Sequence, residues 1–194
     1  MFSPIYTLYT YFPLQFFICL FIDLSIMAIG MLLAVGLYKK GTFDKAQRVA
    51  CIVLFIWAAI VLFLTVLGRR LNREGIDNYN LELFSCYRMI INHHDQTILS
   101  TTIQNIVMFI PIGFTLSAVF KKKHKLIIPI VISFILSLTI EVCQLLLKSG
   151  LFELDDLFNN TLGAFIGILL YLMIACIIRK RTGKEDHIES KNHT

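Results

Sequence analysis

Charge is what this chain has least of. Asp, Glu, Lys and Arg make up 16% of its 194 residues, against about a quarter in soluble domains, while 57% are hydrophobic. So little charge cannot solvate the surface of a soluble fold, and that class is excluded. Cysteines number five, but Cys19, Cys51, Cys143 and Cys176 lie in or beside apolar runs, leaving only Cys86 in a polar segment. An intramolecular disulfide framework is therefore not expected. There is no Gly-rich phosphate loop, no nucleophile elbow and no HExxH. The common intramembrane protease and lipid-phosphatase signatures are missing too. His93-His94-Asp95 comes nearest to a metal motif, yet no further ligand follows at zinc spacing, so neither a metal nor a cofactor is expected.

What is present is apolar sequence in blocks long enough to cross a bilayer, which takes about 20 residues of helix. Five blocks stand out: Leu14–Tyr38, Val49–Leu67, Gln104–Phe120, Leu126–Leu147 and Thr161–Ile178. The third is short, polar at its start and interrupted by Pro111 and Gly113. The expected fold is all-α: one polytopic transmembrane helical bundle of about five spans over residues 1–178, followed by a charged tail over 179–194. No Lys or Arg precedes the first block and no small-residue cleavage site follows it, so it is expected to be a span and not a cleaved signal peptide.

The basic residues set the expected orientation. Thirteen of the eighteen fall at Lys39, Lys40, Lys45 and Arg48, at Lys121, Lys122, Lys123 and Lys125, and at Arg179, Lys180, Arg181, Lys184 and Lys191. Only Arg69, Arg70, Arg73, Arg88 and Lys148 fall in the alternate segments. The positive-inside rule then places the N-terminus outside and the C-terminus inside. The net charge of +5 is thus a topology signal, and the expected partner is the lipid bilayer, not nucleic acid. Residues 68–103 form the longest segment outside the spans. They mix charge with Leu81, Leu83, Phe84 and Tyr87, and are expected to fold back on the outer membrane surface with a short helix near Leu81–Ile91.

Ionisable groups inside lipid are costly and tend to mark function. In the fourth block Ser137, Glu141, Gln144 and Lys148 recur at helical spacing along one stripe, and Asp156, Asn160, Gly163 and Gly167 repeat that spacing in the fifth. Gln104 and Asn105 open the third block, and Arg69 and Arg70 end the second. On the expected topology, four segments bring polar side chains to one level beneath the outer face. Glu141 either pairs with Arg69 or Arg70 to neutralise a buried charge or serves a ligand or catalysis. Asn105 and Asn160 are either interhelical hydrogen-bond partners or ligand contacts, and Asp155 and Asp156 suit a helix N-terminus. Gly163 and Gly167 form a close-packing GxxxG, and Pro111 with Gly113 is expected to kink the third span. Asp23, mid-membrane in the first block, has no evident partner in the sequence.

Thr65, Arg69 or Arg70, Asn105, Phe109, Pro111, Gly113, Glu141, Gln144, Gly150, Asp155, Asp156, Asn160, Thr161 and Gly163 follow one another in an order that resembles the VanZ-like family of bacterial membrane proteins. The resemblance runs from about residue 65 to 175. Two positions depart from the pattern: Leu151 stands where a basic residue often follows the glycine, and Glu153 where aspartate is frequent. The resemblance implies an integral protein of the bacterial cytoplasmic membrane, linked in some members to reduced susceptibility to teicoplanin and related lipoglycopeptides. The expected function is a non-enzymatic envelope factor of the Gram-positive type. Its outer polar pocket would be lined by Arg69, Arg70, Asn105, Glu141, Gln144, Asp156 and Asn160, and would meet a cell-wall precursor, a glycolipid or a lipoglycopeptide. The alternatives are a membrane enzyme on a lipid-linked substrate with Glu141 as general acid or base, and a small transporter using Asp23 and Glu141. Oligomeric state is left open.

Overall fold

The computed structural model describes residues 21, 24, 25, 28, 30–32, 35–41, 43–67, 79–120, 126–146 and 150–192, with side chains to 181. Among them, α1 spans Lys45–Leu62 and continues as a π-helix over Phe63–Leu67. A two-residue strand β1 (Tyr79–Asn80) leads to the short helix α2 (Ser85–His93), then α3 (Gln96–Val119) and α4 (Ile127–Leu146). Strand β2 (Phe152–Glu153) opens directly into α5 (Leu154–Asn192). Among the described residues, four helices are long and apolar enough to cross a membrane: Lys45–Val66, Gln96–Val119, Ile127–Leu146 and Leu154–Arg181. They correspond to the last four apolar blocks of the sequence. A shorter apolar helix, Gly30–Lys39, falls in the first block, most of which lies outside the described residues along with Asp23.

Local chemistry accounts for the helix starts. Asp44 and Gln47 form a capping box at α1, with Gln47 N–H on Asp44 Oδ1 at 2.8 Å and Asp44 N–H on Gln47 Oε1 at 3.1 Å. Asp95 caps α3 by accepting from the Thr97 and Ile98 amides at 2.9 and 3.1 Å. This cap moves the start of the third span from the expected Gln104 to Gln96. Its first turns carry Gln96, Thr97, Ser100, Thr101 and Thr102, so hydropathy alone places the start too late. α5 runs on through the charged segment from Arg179 to Asn192.

The helices close around Val61, Phe109, Ile112, Ile140 and Ile168, each at most 1% exposed. The tightest seam joins α3 to α5. A Cβ built on Gly163 would fall 2.0 Å from the Ile106 carbonyl, on Gly167 2.0 Å from that of Ile110, and on Gly113 1.9 Å from that of Ala164. Backbones this close require glycine, which is how helices pack in lipid without a hydrophobic driving force. Pro111 lies inside α3, and the Met108 carbonyl one turn before it accepts from Trp57 Nε1 at 2.8 Å, tying α1 to the interrupted ladder. Val53, Leu64, Val107, Ile135, Leu169 and Ile178 point outward as an apolar exterior.

The C-terminal ends of α1 and α4 and the N-terminal ends of α3 and α5 share one end of the bundle. There β1 pairs in parallel with β2, Tyr79 opposite Phe152 and Asn80 opposite Glu153. Together with α2, this ladder caps that end of the bundle, with Tyr79, Leu81, Leu83, Phe84, Met89 and Ile91 exposed on it.

Candidate functional site

The site lies just under that cap and begins on α4. Ser137, Glu141 and Gln144 recur every three or four residues, so one stripe of the helix turns all three inward, at 0%, 1% and 2% exposure. Ser133, one turn further from the cap, extends the stripe and is fully buried. Each group meets a different element. Ser137 Oγ accepts from Asn160 Nδ2 on α5 at 2.9 Å. Glu141 Oε2 accepts from the Glu153 amide in β2 at 3.1 Å, which locks the cap to the buried carboxylate. Gln144 Nε2 donates to the Thr65 carbonyl at 3.1 Å. That carbonyl sits in the π-helical stretch that continues α1.

The facing wall comes from α3 and α5. Asn105 Nδ2 donates to Asp156 Oδ1 at 2.6 Å, joining two polar groups 51 residues apart. Asp156 therefore shares a face with Gly163 and Gly167 toward α3, whereas Asn160 turns toward α4. Gln104 stays outside, exposed and bonded to Ser100 Oγ at 3.1 Å. Of the expected pocket residues, Asn105, Glu141, Gln144, Asp156 and Asn160 come together; Arg69 and Arg70 lie outside the described residues.

Sequence reasoning missed a second network above the first. Asp155, read as a favourable charge at a helix N-terminus, is 3% exposed and accepts from the Phe84 amide, from Ser85 Oγ at 3.0 Å and from the Cys86 amide at 2.7 Å. It pins the first turn of α2 to the first turn of α5. Asn159, buried and one helical turn after Asp155, accepts from the Tyr87 hydroxyl at 2.5 Å. The only sequence signal for this pair was the i, i+4 spacing of Asp155 and Asn159. Burial, and then the hydrogen bond and charge of Asp155, push the Cys86 thiol up to about 11, against the opposing pull of Thr102 and Asn159. Burial, with Cys86 and Asp155 behind it, raises the Tyr87 phenol as well. Phe84, at φ 64, and His94, at φ 50, bracket α2 in left-handed backbone, so the helix starts and stops in sharp turns. His93 closes α2, His94 makes the second turn and Asp95 is engaged as the α3 cap.

A family model described as VanZ/LLP1 matches residues 49–176, from the start of α1 through most of α5 and across every element of the site. The chain belongs to the VanZ/LLP1 family. Its helices and this membership make it a membrane protein. One relative, Protein VanZ of Enterococcus faecium, is 34% identical over 74 residues, which cover 36% of this VanZ/LLP1 chain and 42% of that protein. The chain thus spans under half of that relative's length. No solved structure matches.

Proposed function

We infer that this VanZ/LLP1 protein is a multi-pass, non-enzymatic protein of the bacterial cytoplasmic membrane. Its N-terminus is outside, its C-terminus is inside, and its capped end faces the outer leaflet. Residues 1–178 act as one transmembrane domain, and 179–194 as its cytoplasmic end. At the capped end, Asn105, Glu141, Gln144, Asp156 and Asn160, with Arg69 and Arg70 on the adjoining segment, meet the head group of an envelope amphiphile: a cell-wall precursor, a glycolipid or a lipid-anchored glycopeptide. In doing so the protein weakens the engagement of teicoplanin-type drugs with the Gram-positive surface.

The observation that carries this reading is the burial of Asn105, Glu141, Gln144 and Asn160, with half-buried Asp156 bonded to Asn105, beneath one end of a bundle of apolar helices and inside the family-matched region. Polar groups in lipid are retained where they bind or conduct something. The relative named Protein VanZ supports the drug-related part of the reading.

The test is teicoplanin and vancomycin susceptibility in a Gram-positive host expressing wild type, Glu141→Gln and Asp156→Asn at equal membrane levels. Protection against teicoplanin, weaker against vancomycin and lost in both variants, is the expected outcome. Absence of protection from well-expressed wild type would overturn the drug-related part. Conversion of a lipid-linked substrate by purified wild type but not by Glu141→Gln would replace the binding role with an enzymatic one.

A further inference from the structure

The large apolar side chains exposed on the cap are not scattered. Leu81 and Leu83 follow β1, Phe84 adjoins the first turn of α2, and Ile91 stands 71% exposed near the other end of that helix. Phe84, Tyr87 and Ile91 are spaced i, i+3 and i+7, so they share one edge of the helix. His93, also exposed, falls on the opposite edge, about 200° round the helix from Ile91. Arg88 lies on the exposed face between the two edges, paired with Glu82.

The contacts of the first edge fix its level. Tyr87 donates its hydroxyl to Asn159 Oδ1 at 2.5 Å, and the Phe84 ring stands edge-on to Phe158 at 5.2 Å. Phe158 and Asn159 come one turn after the start of α5, so this edge of α2 reaches down the side of a helix apolar enough to cross a membrane and does not stand clear of it. Phe158 is itself exposed on the apolar exterior of the bundle, and Phe84 joins the apolar residues of the cap to that exterior. A patch of this kind is not left to water, and at this level the nearest apolar phase is the bilayer. Arg88, Asn92 and His93 take the remaining exposed faces, a division suited to a helix lying in the plane of the interface. We propose that the cap is an in-plane membrane anchor whose partner is lipid. The Phe84–Tyr87–Ile91 edge, flanked by Leu81 and Leu83, lies against acyl chains of the leaflet at the capped end, with Arg88 among the head groups and His93 toward water. Lipid then holds the cap over the polar residues beneath it, alongside the bonds to Asp155.

The experiment places a single tryptophan in the full chain, by Ile91→Trp or by His93→Trp in a Trp57→Phe background. The chains are held in nanodiscs of phosphatidylcholine and phosphatidylglycerol, which leave both membrane faces open to solutes. Emission is quenched from the lipid side by phosphatidylcholine brominated on its acyl chains near the head group, and from water by iodide. A side chain seated ~5–10 Å into the head-group boundary is reached by bromine and screened from iodide. The Ile91→Trp chain is expected to emit at shorter wavelength and to lose most of its emission to brominated lipid. The His93→Trp chain is expected to lose most of its emission to iodide. With Trp57 retained as a constant contribution, the difference between the two chains gives the same contrast, even where the background substitution fails to fold. Iodide quenching of both positions, or equal quenching of both by brominated lipid, overturns the proposal. Shielding of position 91 from both quenchers would put a protein partner or a second copy on this edge, and overturns it as well.

Discussion

The Asp155 carboxylate accepts the Cys86 amide at 2.7 Å, across 69 residues of chain, and so fastens the cap helix α2 to the first turn of α5. The same carboxylate takes the Phe84 amide and the Ser85 hydroxyl. One side chain therefore satisfies the start of a helix that has no capping side chain of its own. It also holds Phe84 in its left-handed turn, with its ring edge-on to Phe158 at 5.2 Å. The polar site lies directly beneath this fastening.

Asp155→Ala leaves those donors without an acceptor. Each orphaned donor costs about 1–3 kcal/mol when water cannot replace the lost bond. Because α2 is half-exposed, water recovers part of that loss, and the expected destabilisation is about 2–4 kcal/mol. Thermal or denaturant unfolding in detergent measures it. Limited proteolysis should show cleavage near α2 before the spans come apart.

Cys86 supplies a pH-dependent readout. Its thiol is raised from 9.0 to about 11, so the folded protein holds the thiol proton more tightly than the unfolded chain does. The associated stability is fully present below pH 9 and is lost as pH rises from there through about 11. In a variant keeping only Cys86, maleimide labelling of folded protein at pH 8 is expected to be slow. Asp155→Asn removes one hydrogen-bonding and charge contribution, so its labelling profile should move to lower pH. An unchanged profile would assign the whole shift to burial.

Gly113→Ala and Gly163→Ala place a methyl group about 2 Å from an opposing backbone carbonyl, and the α3–α5 seam must open to admit it. The expected cost is about 1–3 kcal/mol or more. Gly36→Ala is the control, since its Cβ meets nothing within 4 Å. Stability equal to the control at either seam position would contradict this packing.

Trp57 is the sole tryptophan, so its fluorescence reports on the α1–α3 contact alone. Trp57→Phe keeps an aromatic ring, smaller than the indole, and deletes the donor to Met108. A loss of about 1 kcal/mol is expected. In wild type, unfolding of this contact should shift the emission to longer wavelength.

Much of the architecture was legible because it is written in one-dimensional signals. The apolar blocks reflect the thickness of a bilayer. The stripe Ser137–Glu141–Gln144 and the glycines at 163 and 167 reflect the helical period. The same period put Glu141 and Gln144 on one stripe and Asp156 and Asn160 on another, while Asn105 was picked out by its place at the start of the third block. The start of α3 was misplaced because its polar first turns are invisible to hydropathy, although Asp95 marks it as a cap.

Partner choice was not legible, because the helical period fixes a residue's face but not the neighbour that face meets. Asp155 and Asp156 are adjacent and chemically identical, yet one holds α2 and the other Asn105. A rotation of about 100° per residue sends them to different elements. Asp156 and Asn160 share a stripe in sequence but divide between α3 and α4, since α5 lies in the groove between those helices. The sequence by itself determined a membrane bundle of apolar helices with polar groups near one end. Only the tertiary structure decided which element each of those groups met, because hydrogen bonding is settled between side chains that sequence keeps tens of residues apart.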